Sequence, residues 1–190
     1  AVDLSHRGVV RVTGPDRLSW LHSLTTQALD RLPPGVSTEA LVLSPHGHVE
    51  HDLHVVDDGA TTWITVEPGT AAALVAWLDR MRFMLRVEVA DVTADWAVVG
   101  QPSPEPAAST EPAAPTAAAA GAAAPTAAAP TAEAGPTVAA VWGDPWPELG
   151  ERSASYSGDA VERPSFAWRE VVVARAELEA ARAVLAPDGV

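Results

Sequence analysis

Cysteine is absent from this 190-residue chain, and so is lysine. Without cysteine there is no disulfide, no thiolate metal site and no cysteine nucleophile within these residues. Without lysine, all fixed positive charge rests on 12 arginines, set against 25 acids for a net charge of −13. Residues 1–100 hold 7 arginines and 13 acids and residues 101–190 hold 5 and 12, so the acidity is spread over both halves. A chain of this charge repels phosphate backbones, and no basic stripe offsets it, which excludes nucleic-acid binding as a main activity. No apolar run approaches the roughly 20 residues of a membrane helix, and no signal peptide is visible. The sequence also lacks a glycine-rich phosphate loop, and Ser5, Ser23 and Ser44 sit in no nucleophile elbow. The expectation is a cytoplasmic protein that engages neither membrane nor nucleic acid.

The hydrophobic fraction of 47% is inflated by alanine. Residues 101–137 are built of alanine, proline and threonine and contain no aromatic, Val, Leu or Ile. Such a stretch buries too little apolar surface to offset ordering entropy, and its prolines keep each alanine block shorter than an isolated helix requires. It is predicted to be a flexible insertion between an ordered part, residues 1–100, and its continuation, residues 138–190.

Elsewhere the punctuation is clear. Val9, Val10 and Val12 between Gly8 and Gly14 predict a strand. Pro15 and Asp16 then open a helix over about Pro15–Gln27, with Asp16 complementing the helix dipole. Strands are predicted over Glu39–Leu43 and His48–Val56, joined by the turn Pro45-His46-Gly47. Asp57-Asp58-Gly59 turns the chain into a third strand, Thr62–Val66. The spacing of Leu74, Trp77, Leu78, Met81 and Leu85 predicts a helix over Thr70–Met84. Strands over Arg86–Val92, Trp96–Val99, Val138–Trp142 and Trp168–Val173 follow, and a helix over Ala176–Leu185 with Leu178, Ala181 and Leu185 inward. Hairpin-linked strands interrupted by helices point to an α+β fold with mixed or antiparallel sheets.

Four histidines crowd into His46–His54. Strand alternation places His46, His48, Glu50, Asp52 and His54 on one face, opposite Val49, His51, Leu53 and Val55. At about 3.3 Å per residue, His46 and His54 are roughly 26 Å apart, so only neighbours could share an ion. A polar sheet face, solvated or lining a cleft, therefore outranks a metal centre, and no metal ligand is assigned. Asp52, a carboxylate among imidazoles, could accept hydrogen bonds or steer a proton. Trp20, Trp77 and Trp96 are expected inside, and Trp142 and Trp146 near a surface turn.

Taken together, Asp3–Asp16 with the Leu18–Gln27 helix, Ser44-Pro45-His46-Gly47-His48-Val49, His51-Asp52-Leu53 and Trp63-Ile64-Thr65-Val66 resemble the YgfZ/GcvT family of folate-binding proteins, relatives of the glycine-cleavage aminomethyltransferase. Val141–Pro147 and Trp168–Val173 resemble its continuation. The resemblance implies an α+β fold around a folate cavity, with tetrahydrofolate as bound ligand. The family's folate-contacting aspartate matches Asp52, and the next strand's contacting positions match Thr65 and Glu67. His51 stands where the aminomethyltransferase has an acid, and Glu67 where it has an amide. The resemblance further implies a non-catalytic role supporting assembly or repair of iron–sulfur client proteins, with no catalytic residue assigned. The alternative it carries is a folate-dependent aminomethyltransferase. The YgfZ hallmark Lys-Gly-Cys-Tyr-x-Gly-Gln-Glu is absent, and in the family it follows the point matching Val190. The expectation is thus an N-terminal portion of a longer protein, stopping before the C-terminal barrel.

Overall fold

β-Branched residues and glycine turns set out the framework. In the computed structural model, which describes residues 1–103, 135–145 and 167–185, the strands are β1 (Val2–Asp3), β2 (Gly8–Thr13), β3 (Ser37–Leu43), β4 (Val49–Asp57), β5 (Thr61–Val66), β6 (Glu88–Asp91), β7 (Trp96–Ser103), β8 (Val138–Gly143) and β9 (Ala167–Ala174). The helices are α1 (Arg17–Leu24), α2 (Ala71–Met81) and α3 (Leu178–Leu185), the last entered through a 3-10 turn at Arg175–Glu177. β7 runs on through Ser103, into the start of the alanine-rich stretch; the rest of that stretch, up to residue 134, lies outside the described residues.

Two sheets form, one in the order β3-β4-β5-β2-β6 and one in the order β1-β7-β9-β8. Every pairing is antiparallel. Because side chains alternate along a strand, each sheet offers a face to each neighbour. Val10, Val12, Leu53, Val55, Ile64 and Val66 of the five-stranded sheet pack under Trp20 and Leu21 of α1 and Leu74 and Leu78 of α2. The opposite face, carrying Val9, Val56 and Trp63, packs on Val98, Trp142 and Val172 of the four-stranded sheet. The outer face of that second sheet, with Val99, Val171 and Val173, is covered by α3 through Leu178, Ala181 and Leu185. The result is an α+β arrangement of helices, sheet, sheet and helix. Each fully buried Leu or Ile contributes about 1.5–3 kcal/mol of transfer free energy, so the layers are held chiefly by these three clusters.

Several local expectations shift. α1 is shorter at both ends than predicted, and Asp16 makes no side-chain cap. Its carboxylate instead accepts from Arg86 Nε at 3.0 Å, Nη2 at 2.8 Å and the Arg86 backbone N–H at 2.9 Å. Those bonds hold the Asp16 carboxyl down at about 2. The turn between β2 and α1 needs Gly14: its φ is +107°, and a Cβ there would collide with the Arg86 carbonyl. Met81 and Leu85, placed by their spacing on one helical face with Leu74 and Leu78, are exposed while those two are buried, because α2 ends at Met81 and the chain turns away through Phe83. A buried ion pair invisible in the sequence ties α1 to the five-stranded sheet. Arg17 Nε and Nη2 donate to Asp57 Oδ2 and Oδ1 at 2.8 and 2.7 Å, while Asp57 also accepts from Thr62 and the Gly59 N–H. Burial pushes the Asp57 carboxyl up, but these donors outweigh it and hold it below the usual range.

Candidate functional site

The candidate site grows from the face of the five-stranded sheet that meets the second sheet. β4 carries Asp52 and His54 on that face, two residues apart, as alternation predicts; Leu53 and Val55 point to the helices. The predicted alternation does not extend back to His46 and His48. Leu43 pairs with Val49 while Val42 pairs with His51, so Glu50 is an extra, bulged residue, and His46 and His48 belong to the turn. Among the described residues no three of His, Asp and Glu gather closely enough to hold a metal ion.

His54 pairs across the ladder with Thr65 of β5. From the second sheet, Glu170 of β9 reaches between them. Its Oε2 accepts from Thr65 Oγ1 at 2.8 Å and from His54 Nδ1 at 3.1 Å. An ionised carboxylate only accepts, so Nδ1 carries the proton. The His54 ring lies on Trp142 of β8, with centroids 3.9 Å apart and planes within 7°. Trp142 Nε1 in turn donates to the Thr38 carbonyl of β3 at 2.9 Å. Trp142 is therefore buried, not at a surface turn as the flanking prolines suggested; Trp146 lies outside the described residues. Burial raises the pKa of Glu170, yet the hydrogen bond and charge of His54, the Arg7 charge and the Thr65 hydroxyl outweigh it and hold the carboxyl below its usual range.

Arg7, just ahead of β2, closes the cluster. Its Nη1 donates to Glu67 Oε1 at 3.3 Å, and its Nε lies 3.8 Å from Glu170 Oε1. Arg7 Nε and Nη2 are buried and make no hydrogen bond among the described residues. The same holds for Asp52 Oδ1 and for His51 Nδ1. His51 points away from Asp52, and burial lowers its pKa.

The three residues matched by resemblance thus occupy different settings. Thr65 is enclosed, with its hydroxyl committed to Glu170. Glu67 is exposed at the rim and held by Arg7. Asp52 stands two residues beyond His54, the last β4 residue paired with β5, and is bonded to neither Thr65 nor Glu67. Arg7, Trp142 and Glu170 were not singled out as site residues from the sequence. Glu170 did leave a trace, as a lone acid beside the apolar run Val171-Val172-Val173.

Residues 1–114 match the family described as the GCVT N-terminal domain, and the chain belongs to that family. The chain is similar to the aminomethyltransferase of Bordetella petrii, 37% identical over 81 residues, covering 42% of this chain and 22% of that protein. It is also similar to the aminomethyltransferase of a Synechococcus strain, 28% identical over 114 residues, covering 56% and 31%. A crystal structure of glycine cleavage system aminomethyltransferase T from Bartonella henselae superposes with a TM-score of 0.48 at 20% identity, over 52% of this chain and 27% of that one. The chain spans less than a third of the length of these relatives.

Proposed function

We propose that this chain supplies part of a tetrahydrofolate-binding cavity of the aminomethyltransferase type, with Asp52 as the principal ligand contact, Thr65 on the adjoining strand and Glu67 just past that strand's end. The observation that carries this reading is the Asp52 carboxylate, whose buried Oδ1 makes no hydrogen bond among the described residues. An unpartnered carboxylate oxygen costs on the order of 1–3 kcal/mol, a cost recovered when a ligand presents N–H donors. The amino-pyrimidinone edge of a reduced pterin has such donors. Tetrahydrofolate, when bound, supplies the nitrogen that accepts a one-carbon unit. The chain's own part is to hold it: Asp52 accepts from the pterin edge, Thr65 backs the strand through Glu170, and Glu67 fixes Arg7 at the rim.

The family membership supports aminomethyl transfer over the YgfZ-type role. The second reading, a non-catalytic folate-binding protein serving iron–sulfur clients in the cytoplasm, is favoured by Val141–Pro147 and Trp168–Val173, which lie beyond the family match and resemble YgfZ-type continuations. Titration with tetrahydrofolate, followed by tryptophan emission, tests the shared claim. Saturable quenching that Asp52→Ala weakens is expected; no saturable signal overturns it. Formation of methylene-tetrahydrofolate from an aminomethyl-loaded carrier then separates the readings, since turnover excludes the non-catalytic one.

A further inference from the structure

We infer that Arg7 is a further ligand-binding residue of the Asp52 site, and that its Nε/Nη2 edge donates to a neutral acceptor of the ligand, the lactam carbonyl of the pterin, and not to the anionic glutamate tail. This rests on the folate reading above. Three arginines of the chain can be compared directly. Arg17 presents its Nε/Nη2 edge to Asp57 at 2.8 and 2.7 Å, and Arg86 presents the same edge to Asp16 at 3.0 and 2.8 Å. Two parallel N–H groups on one edge are the strongest hydrogen-bonding feature of a guanidinium. On Arg7 both atoms of that edge are buried and make no hydrogen bond among the described residues. Glu170 Oε1, at 3.8 Å from Nε, is beyond hydrogen-bond reach.

Arg7 belongs to the same face of the five-stranded sheet as Asp52. It lies two residues before Val9, which faces the second sheet, and Glu170 of that sheet approaches it. Donors and an acceptor that make no hydrogen bond among the described residues therefore share one face. Reduced pterins present both complements, N–H donors beside a lactam oxygen. Charge decides which acceptor Arg7 takes. Glu67 Oε1 at 3.3 Å and Glu170 Oε1 at 3.8 Å already surround the guanidinium. A third carboxylate would meet two like charges, whereas a carbonyl adds none. The Glu67 bond to Nη1 leaves the other edge aimed inward.

Calorimetric titration of the full chain with tetrahydrofolate and with 6-methyltetrahydropterin, which lacks the tail, tests the inference. Arg7→Met is expected to weaken both about tenfold or more, by the same factor, as expected for loss of a hydrogen bond to a charged donor. Arg7→Lys, which keeps the charge but not the fork, should weaken both as well. The Arg7 Nε–H resonance should shift as 6-methyltetrahydropterin saturates the wild-type chain. If Arg7→Met fails to fold, Arg7→Lys and the Nε–H shift decide. Wild-type affinity in both variants, an unmoved Nε–H signal, or weakening confined to tetrahydrofolate overturns the Arg7 inference while the folate reading stands. A wild-type chain that binds neither compound overturns both.

Discussion

His54 of β4 lies flat on Trp142 of β8, 3.9 Å between ring centroids, and thereby joins the two sheets at the point where Glu170 enters from β9. The stack and the hydrogen bonds at its two ends make one continuous tie from Thr38 to Glu170. Trp142→Ala removes the stacked ring and the bond to the Thr38 carbonyl together. A loss of about 3–5 kcal/mol is expected, measured as a fall in the urea midpoint. A drop below 1 kcal/mol would mean the sheets are held by the valine cluster alone.

Arg17 and Asp57 make a second tie, between α1 and the five-stranded sheet, with side chains 10% and 1% exposed. Breaking a buried pair leaves its partner charged and unmatched, so Arg17→Met should cost about 3–5 kcal/mol. Adding Asp57→Asn to that variant should restore part of the loss, because the stranded charge is removed. A double-mutant cycle by chemical denaturation measures the coupling.

Acid should unfold the chain through the same groups. Glu170 and Asp57 are both held below their ordinary values of about 4.3 and 3.9. A depressed folded-state pKa means that the stabilisation is fully present above the unfolded value and is lost as pH falls through the folded one. Thermal melts followed by circular dichroism should therefore decline steeply below about pH 4, after a shallower fall that begins near pH 6.5, where the unfolded chain protonates His51 more readily than the buried ring does. Glu170→Gln lowers stability at neutral pH and makes that decline shallower; an unchanged slope would assign the acid sensitivity elsewhere.

Asp52 separates folding from binding. Its Oδ1 makes no hydrogen bond among the described residues, so Asp52→Asn gives up little in the fold and should leave the melting temperature within about 2 °C. The same substitution should weaken tetrahydrofolate by about tenfold, as loss of a charged acceptor does. Equal loss of stability and affinity would make Asp52 a structural residue.

Gly14→Ala is expected to destabilise by more than 1 kcal/mol, since the added methyl meets the Arg86 carbonyl at a positive φ. The melting temperature of the single variant checks it.

How far the sequence discloses this molecule follows from the range of the interactions. Val9–Val12, the Gly47 and Gly59 turns and the period of Leu74 and Leu78 are local signals, and the strands and α2 follow them to within a few residues. Asp52 and His54 share a face because alternation is local too. The bulge at Glu50 breaks that rule for His46 and His48, and no pattern in the residues announces it. Trp142 and Glu170 are defined by partners on β3, β4 and β5, far away in the chain. Proline neighbours suggested a surface for Trp142, but its stack and its Nε1 bond are tertiary. Arg7 reads as an ordinary loop cation until its bonded neighbours are known.

The five-stranded sheet is made from consecutive stretches of chain ending at Asp91, whereas the four-stranded sheet pairs Trp96 with Ala174. Closing that second ladder brings distant segments together, which is the slow step in folds of this kind. A ribosome releasing the chain from its N-terminus would finish the first sheet and α2 well before β9 emerges. Until then one edge of β7 is open, and Val9, Trp63 and Val98 lack their cover from Val172 and Trp142. An unpaired strand beside uncovered apolar side chains invites association with other chains. Yield on expression should accordingly depend on chaperone supply and growth temperature, and a product ended at Ser103 should aggregate where the full chain does not.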